Sequence, residues 1–346
     1  MDNRKSTKEF SRTVIGDIAA KSGVSATTVS RVLHGHKDVS AATRDKVMQH
    51  IAELGYVPQR NDRATTCRIG FSIPMFNDYF GYIIDGAYES LRGRDAQFIT
   101  IRTNNLYETE INQVQRLLEQ NINGLIFILP QHSVEDLLHL KQKGIPFVVT
   151  DPFVSLPDAI PTIAVENISA SMLAMEHLLS LGHRRIAIIT GPSHWGSTID
   201  RTTGYYAALA SAGLAIDPTL IREGRWTPES GQEVVNHLLS LPDPPTAIFA
   251  FNDGMAIGAM HAIQEHGLRV PEDISVIGFD DASLNLPYIT PALTTLHHPL
   301  QEIGRLAVDV LYRLIQHQPL DETHIKLSAR LIIRSSTGPC PINCTF

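Results

Sequence analysis

Three polar residues stand directly after short apolar runs. Asp151 follows Phe147–Thr150, Asp280 follows Ser275–Phe279, and Asn252 follows the run from 247 to 251. Runs of this length and composition suit strands buried on both faces of a parallel sheet. The carboxyl ends of such strands open on one crevice, so these carboxylates and this amide are expected to face a common ligand. Carboxylate acceptors suit vicinal hydroxyls, each of which needs a partner once it leaves water. Arg201 adds a fork of donors for ring or hydroxyl oxygens. Trp226 offers a flat face for the C–H side of a pyranose. Tyr79 and Phe80 open a helical run and read either as lining of the crevice or as plain core. Arg201 and Asp280 also fit a structural ion pair, and Trp226 also fits packing on a lobe surface. Asp253 and Asp281 read as helix N-caps rather than ligands. His297 and His298 are adjacent in an extended segment and point opposite ways, with no third ligand evident. They read as core or inter-lobe residues, and no metal is expected.

A second constellation suits nucleic acid. Ile15, Ile18 and Ala19 share one face of a short helix, and Gly23 can supply a tight turn. Ser25 then caps a second helix in which Val29, Val32 and Leu33 face inward while Ala26, Thr27, Ser30 and Arg31 face out. This is a helix-turn-helix pattern, whose second helix enters the major groove with its N-terminal end toward the base edges. Ser25, Ala26, Thr27, Thr28, Ser30 and Arg31 are the candidate DNA contacts. A third helix is expected from Ser40 to Leu54, with Val47, Ile51 and Leu54 inward. Farther on, Arg60 and Arg63 can follow phosphates or probe a narrow minor groove.

The 346-residue chain is 43% hydrophobic and 19% charged, ordinary values for a globular protein of two or three domains. No apolar run approaches the ~18 residues of a membrane span, and residues 1–12 lack the apolar region of a secretory signal. Cys67, Cys340 and Cys344 are too few for a disulfide framework, which fits a cytoplasmic location. The net charge of -7 hides an asymmetry: residues 1–68 hold 12 Lys+Arg against 7 Asp+Glu, and the remainder 17 against 29. A basic head on an acidic body concentrates phosphate attraction at one end.

From residue 68 the pattern alternates strands and helices, then starts again near 169. Strands are expected at 68–73, 97–102, 124–129, 146–150, 185–190, 220–224, 247–251 and 275–279. The intervening segments carry helical periodicity, and a long helix is expected at 301–315. The fold class is therefore a small all-α helix-turn-helix head plus an α/β two-lobed core of doubly wound parallel sheets. No Walker sequence, G-x-S-x-G elbow or dinucleotide fingerprint is present, so neither an enzyme nor a cofactor is expected.

The head resembles that of the LacI/GalR family of bacterial transcription regulators. The resemblance rests on Asp17-Ile18-Ala19, Gly23-Val24-Ser25, Thr28-Val29-Ser30-Arg31-Val32-Leu33, Gly35 and Leu54-Gly55-Tyr56-Val57-Pro58. The remainder resembles the same family's periplasmic-binding-protein-like effector core. Those matches include His177 to Ile186, Arg201 with Gly204-Tyr205, Phe251-Asn252-Asp253, and Pro271 to Asp281. The resemblance implies a DNA-binding domain at 13–58 and a core at 69–338; the polar, aperiodic residues 59–68 read as a linker or hinge between them, and 1–12 (flexible) and 339–346 as tails. Within the core it implies one lobe at about 69–163 and 292–326, the other at about 164–291 and 327–338, with crossings near 163, 291 and 326. It further implies a homodimer or higher assembly on a pseudo-palindromic operator, with repression set by a small effector. Asp151, Arg201, Trp226, Asn252 and Asp280 match the family's effector-contact positions, and a mono- or disaccharide is the expected effector. A nucleobase-responsive, co-repressed regulator is the runner-up; a solute-binding protein or a sugar-acting enzyme is more distant. The hinge departs from the family pattern: residues 59–68 contain no Leu, Ile, Val, Phe or Met to wedge a base step.

Overall fold

The computed structural model describes residues 15–33, 39–53 and 66–341, in two units divided after Thr65. In the first unit α1 (Ile15–Ser22), α2 (Ala26–Leu33) and α3 (Ala41–Glu53) form a helix-turn-helix with a supporting third helix. Gly23 takes φ +67 between α1 and α2, a conformation that costs residues with a Cβ. Ser25 Oγ accepts from the Thr28 amide at 3.1 Å and Ser40 Oγ from the Thr43 amide at 3.2 Å, which starts α2 and α3. Ile18, Ala19, Val29, Val32, Val47 and Ile51 close the small core. Leu54, Arg60 and Arg63, with residues 59–65 of the expected hinge, lie outside the described residues.

The second unit begins with β1 (Cys67–Ile73), α4 (Asp78–Ser90), β2 (Ala96–Arg102), α5 (Tyr107–Glu119), β3 (Gly124–Ile128), α6 (Val134–Gln142), β4 (Phe147–Thr150) and β5 (Thr162–Val165). The chain crosses to a second lobe of α7 (Asn167–Ser180), β6 (Ile186–Thr190), α8 (Gly196–Ser211), β7 (Ile221–Glu223), α9 (Pro228–Leu239), β8 (Ala247–Ala250), α10 (Asp253–Glu265), β9 (Ser275–Asp280) and β10 (Thr294–His297). It returns for α11 (Leu300–Ile315) and β11 (His324–Leu327), then crosses again to β12 (Arg330–Ile332). The first sheet has the order β11-β5-β4-β3-β1-β2 and the second β12-β10-β9-β8-β6-β7. Every pairing is parallel except β10 with β12. In β3, Leu125 and Phe127 join one buried cluster while Ile126 and Ile128 join another on the opposite face. A strand covered on both sides therefore reads as a continuous apolar run.

The middle crossing falls at His298–Pro299 rather than near 291, because Thr294–His297 pair in parallel with Ile277–Asp280 and so extend the second sheet. The other crossings fall at Glu166 and between β11 and β12, slightly later than 163 and 326. Cys67 and Arg68 pair with Ala96 and Gln97, so β1 starts inside the stretch expected to be hinge. The strands β5, β10, β11 and β12 are too short to show a period in sequence; their neighbours define them.

Candidate functional site

A cavity of about 730 Å³ lies between the two lobes of the second unit, and Tyr79, Phe80, Asp151, Arg201, Trp226, Asn252 and Asp280 all line it. Parallel topology brings Asp151, Asn252 and Asp280 there, at the carboxyl ends of β4, β8 and β9. Asp151 leaves β4 and Asp280 ends β9, each with positive φ (+46 and +111) where the chain turns away from its sheet. Asn77 caps α4 by accepting from the Phe80 amide at 3.2 Å. That start aims the Tyr79 hydroxyl at Asp151 Oδ2, 3.0 Å away. Burial, then the Asp151 charge, pushes the Tyr79 hydroxyl well above its ordinary range, so it stays a donor. Phe80 is both lining and core: it is 6% exposed and packs with Ile83, Leu300 and Ile303.

Arg201, on α8, is buried at 5% exposure. Its Nε donates to Asn167 Oδ1 at 2.8 Å and its Nη1 to the Phe251 carbonyl. The guanidinium carbon sits 3.4 Å from the centre of the Phe279 ring. Nη2 stands 4.0 Å from Asp280 Oδ1, a loose pairing beyond hydrogen-bond range. Burial lowers the Arg201 pKa, with Asp280 the strongest opposing influence. The residue thus holds the second lobe together while presenting one arm to the cleft.

Trp226 has φ +64, and its ring lies against Gly191, where an added Cβ would fall 1.9 Å from Cζ2. It contacts the Trp195 ring at 5.2 Å, and Trp195 meets Phe153 at 4.5 Å. The Trp226 indole N–H is buried without a partner among the described residues. Asn252, not Asp253, caps α10: its Oδ1 accepts from Met255 N at 2.9 Å and its Nδ2 donates to the Trp226 carbonyl at 3.0 Å. The expectation for Asp253 is off by one residue. Asp253 sits in the first turn of α10, buried, and accepts from the Thr295 hydroxyl at 2.5 Å and the Ala282 amide at 3.3 Å. Burial, then Asp280, pushes the Asp253 carboxyl well above the usual range. Asp281 is no cap either; it accepts from Arg334 at 2.7 Å and meets His297 at 3.1 Å.

Several lining residues were not singled out from sequence. These are Asn167, Trp195, Asp200 and Lys326; His298, read from sequence as a core or inter-lobe residue, also lines the cavity. Trp195 carried the same flat-face signal as Trp226. His298 is where an inter-lobe residue was expected, at the crossing itself. Among the described residues no group of three or more His, Cys, Asp or Glu side chains could hold a metal ion.

The first unit carries its own candidate surface. Ser25, Ala26, Thr27 and Arg31 are exposed on α2, and Thr28 and Ser30 are half-buried, opposite the buried Val29 and Val32. The Ser25 and Thr28 hydroxyls face each other at 2.9 Å within the cap, so both are partly committed to starting the helix. Ala26, Thr27 and Arg31 are the fully exposed residues of α2 itself among those expected to meet DNA.

Comparison with known proteins agrees with both halves. Residues 14–59 match a family model described as bacterial regulatory proteins, lacI family, and residues 175–337 match one described as a periplasmic binding protein-like domain. The HTH-type transcriptional repressor PurR of Vibrio vulnificus is 32% identical over 331 residues, covering 93% of this chain and 98% of that protein. Among solved structures, the lac repressor dimer bound to operator and the anti-inducer ONPF is 31% identical, with TM-score 0.79, covering 95% of this chain and 100% of that one. A complex of the transcriptional regulator CelR with cellobiose is 30% identical, with TM-score 0.70 and coverage of 94% and 100%.

Proposed function

This chain belongs to the LacI family of bacterial regulatory proteins, and from that premise we propose that its operator affinity is set by a small sugar held between the lobes. It is a DNA-binding transcriptional regulator of the repressor class. The observation that carries the sugar reading is the convergence of Asp151, Asp280 and Arg201 with the Trp226 face on one cavity of about 730 Å³. Asp151 and Asp280 accept from hydroxyls, the free arm of Arg201 donates to a ring or hydroxyl oxygen, and the indole covers the apolar face. The Trp226 N–H supplies one further donor. The CelR relative, named as a cellobiose complex, shows that a related core takes a disaccharide.

Effector binding acts on DNA only through a difference in affinity between two lobe arrangements. Three chain crossings join the lobes here, so closure is a hinge motion about those segments. Two heads of one homodimer then meet two half-sites of a pseudo-palindromic operator, with Ala26, Thr27 and Arg31 reading bases and Arg60 and Arg63 following the backbone. We assign no catalytic step to the cleft, and the protein works in the cytoplasm, where the operator is.

A planar nucleobase is the second reading, favoured by the aromatic wall of Phe153, Trp195 and Trp226. A thermal-shift panel of monosaccharides, disaccharides and nucleobases separates the two. A ligand at 100 times its Kd stabilises by about 2.7 kcal/mol, a rise of roughly 5–10 °C for a core of this size. A shift with nucleobases and none with sugars overturns the sugar reading.

A further inference from the structure

We propose that His298 is a proton-operated latch between the lobes: as an imidazolium it bridges Asp151 and Asp280 and draws the cleft toward its closed arrangement even before an effector binds. The proposal rests on the effector reading above and adds the proton as a second ligand of the same site. His298 lies at the middle crossing and is 2% exposed. Its Nε2 is 3.7 Å from Asp151 Oδ2 in one lobe and its Nδ1 is 3.7 Å from Asp280 Oδ1 in the other. Neither ring nitrogen has a hydrogen-bond partner among the described residues. The ring packs edge-on between Tyr79, 5.5 Å away, and Phe279, 6.1 Å away, which limits its rotation between the two carboxylates. The His298 amide donates to the Asp280 carbonyl at 3.0 Å, which anchors the backbone to the second lobe.

A neutral imidazole has one donor and one acceptor, whereas carboxylates on both sides call for two donors. Only the imidazolium satisfies both. Charge balance points the same way. Asp151 and Asp280 face one buried cation, Arg201, and closure removes the water that screens the excess carboxylate. Asp253, behind Asp280 on α10, has its carboxyl pushed up by burial and then by Asp280. Tyr79, on α4, already donates to Asp151 and remains neutral. His297, next in the chain, turns to Asp281, which also holds Arg334. His298 also lines a second cavity of about 630 Å³ with Glu89, Glu302, Arg305 and Arg330. Shortening each 3.7 Å gap by about 1 Å brings both contacts into charge-assisted hydrogen-bond range.

The chain has two tryptophans, Trp195 and Trp226, and both line the cleft, so intrinsic fluorescence of the full-length protein reports its state. Wild type, H298Q, H297Q and H194Q are titrated between about pH 5.5 and 8.5, the range in which histidines change charge, without ligand and with cellobiose as probe. His194 is the control because its ring lies 6.4 Å from Trp195. A one-proton transition in wild type, H297Q and H194Q that is absent in H298Q supports the latch. If cellobiose binds, its Kd weakens by up to about tenfold per pH unit on raising the pH in wild type and stays level in H298Q. The latch is overturned by a wild-type titration without a transition, by a transition that persists in H298Q, or by one lost in H194Q instead. Failure of cellobiose to bind at any pH counts against that effector alone, and the fluorescence of the four proteins still decides the role of His298.

Discussion

Arg201→Ala and Asp280→Asn remove opposite ends of the same loose pair, and the structure predicts different consequences for them. Arg201→Ala deletes a hydrogen bond to Asn167, one to the Phe251 carbonyl, and a guanidinium stacked 3.4 Å above Phe279. Hydrogen bonds from a charged donor contribute about 1.5–3 kcal/mol each, and the stacking about 0.5–2 kcal/mol. Water can enter from the cleft and recover part of this, so a loss of about 3–5 kcal/mol is expected. That lowers the melting temperature of the core by roughly 6–20 °C. Asp280→Asn keeps the side-chain shape and removes only a charge whose nearest guanidinium nitrogen is 4.0 Å away. It also relieves Asp253, whose carboxyl is pushed up by burial and then by Asp280. Because the folded-state pKa of Asp253 lies above the unfolded value, the native state holds more protons above about pH 4, and stability falls as pH rises through that window. Asp280→Asn should flatten this fall and leave neutral-pH stability within about 1 kcal/mol of wild type. Effector affinity should nevertheless drop about 100-fold or more, since two charged acceptor contacts are weakened. Differential scanning fluorimetry at several pH values, with calorimetric titration of the effector and operator gel shifts, reads all of these. Equal destabilisation by the two variants would make Asp280 a structural partner of Arg201 and would refute the division of roles. An unchanged effector affinity in Asp280→Asn would remove it from the site.

Arg31→Ala should cost about 1–3 kcal/mol of operator binding if the guanidinium reads a guanine; equal losses on operator and random DNA in a gel shift would show a phosphate contact instead. Gly191→Ala places a Cβ 1.9 Å from the Trp226 ring and must displace it, so tryptophan fluorescence should change and effector affinity fall while operator binding persists. An unchanged spectrum would contradict the packing. The segment 59–68 lacks a large apolar wedge, so circular-permutation gel shifts should show a weakly bent operator, with affinity from Arg60 and Arg63 falling steeply with salt. A sharp kink at the dyad that disappears when residues 59–66 become Gly/Ser would reverse that expectation.

The sequence by itself determined the elements whose signals are local. Ser25 and Ser40 announce α2 and α3 because a cap hydroxyl meets amides only three residues on. The runs before Asp151 and Asp280 announce strands buried on both faces, and parallel topology sends their carboxyl ends to one crevice whatever the details. That topology accounts for Asp151, Asn252 and Asp280; Arg201, Trp226, Tyr79 and Phe80 were legible only through side-chain chemistry, helix position and family resemblance, and all seven line one cavity. Only the tertiary structure decided what depends on partners far along the chain. The four residues of β10 have no period of their own and become a strand by pairing with β9. Asn252 rather than Asp253 caps α10, a choice made by Thr295 and Ala282, which take up the Asp253 carboxylate from 42 and 29 residues away. Arg201 is split between structure and cleft by Asn167 and Phe251, 34 and 50 residues distant. His298 reads in sequence as one of two adjacent histidines. The crossing of the chain between lobes sets it midway between two carboxylates that lie on different sheets. Capping and burial periods act over one turn of chain, whereas the charge environment of a side chain is a sum over space.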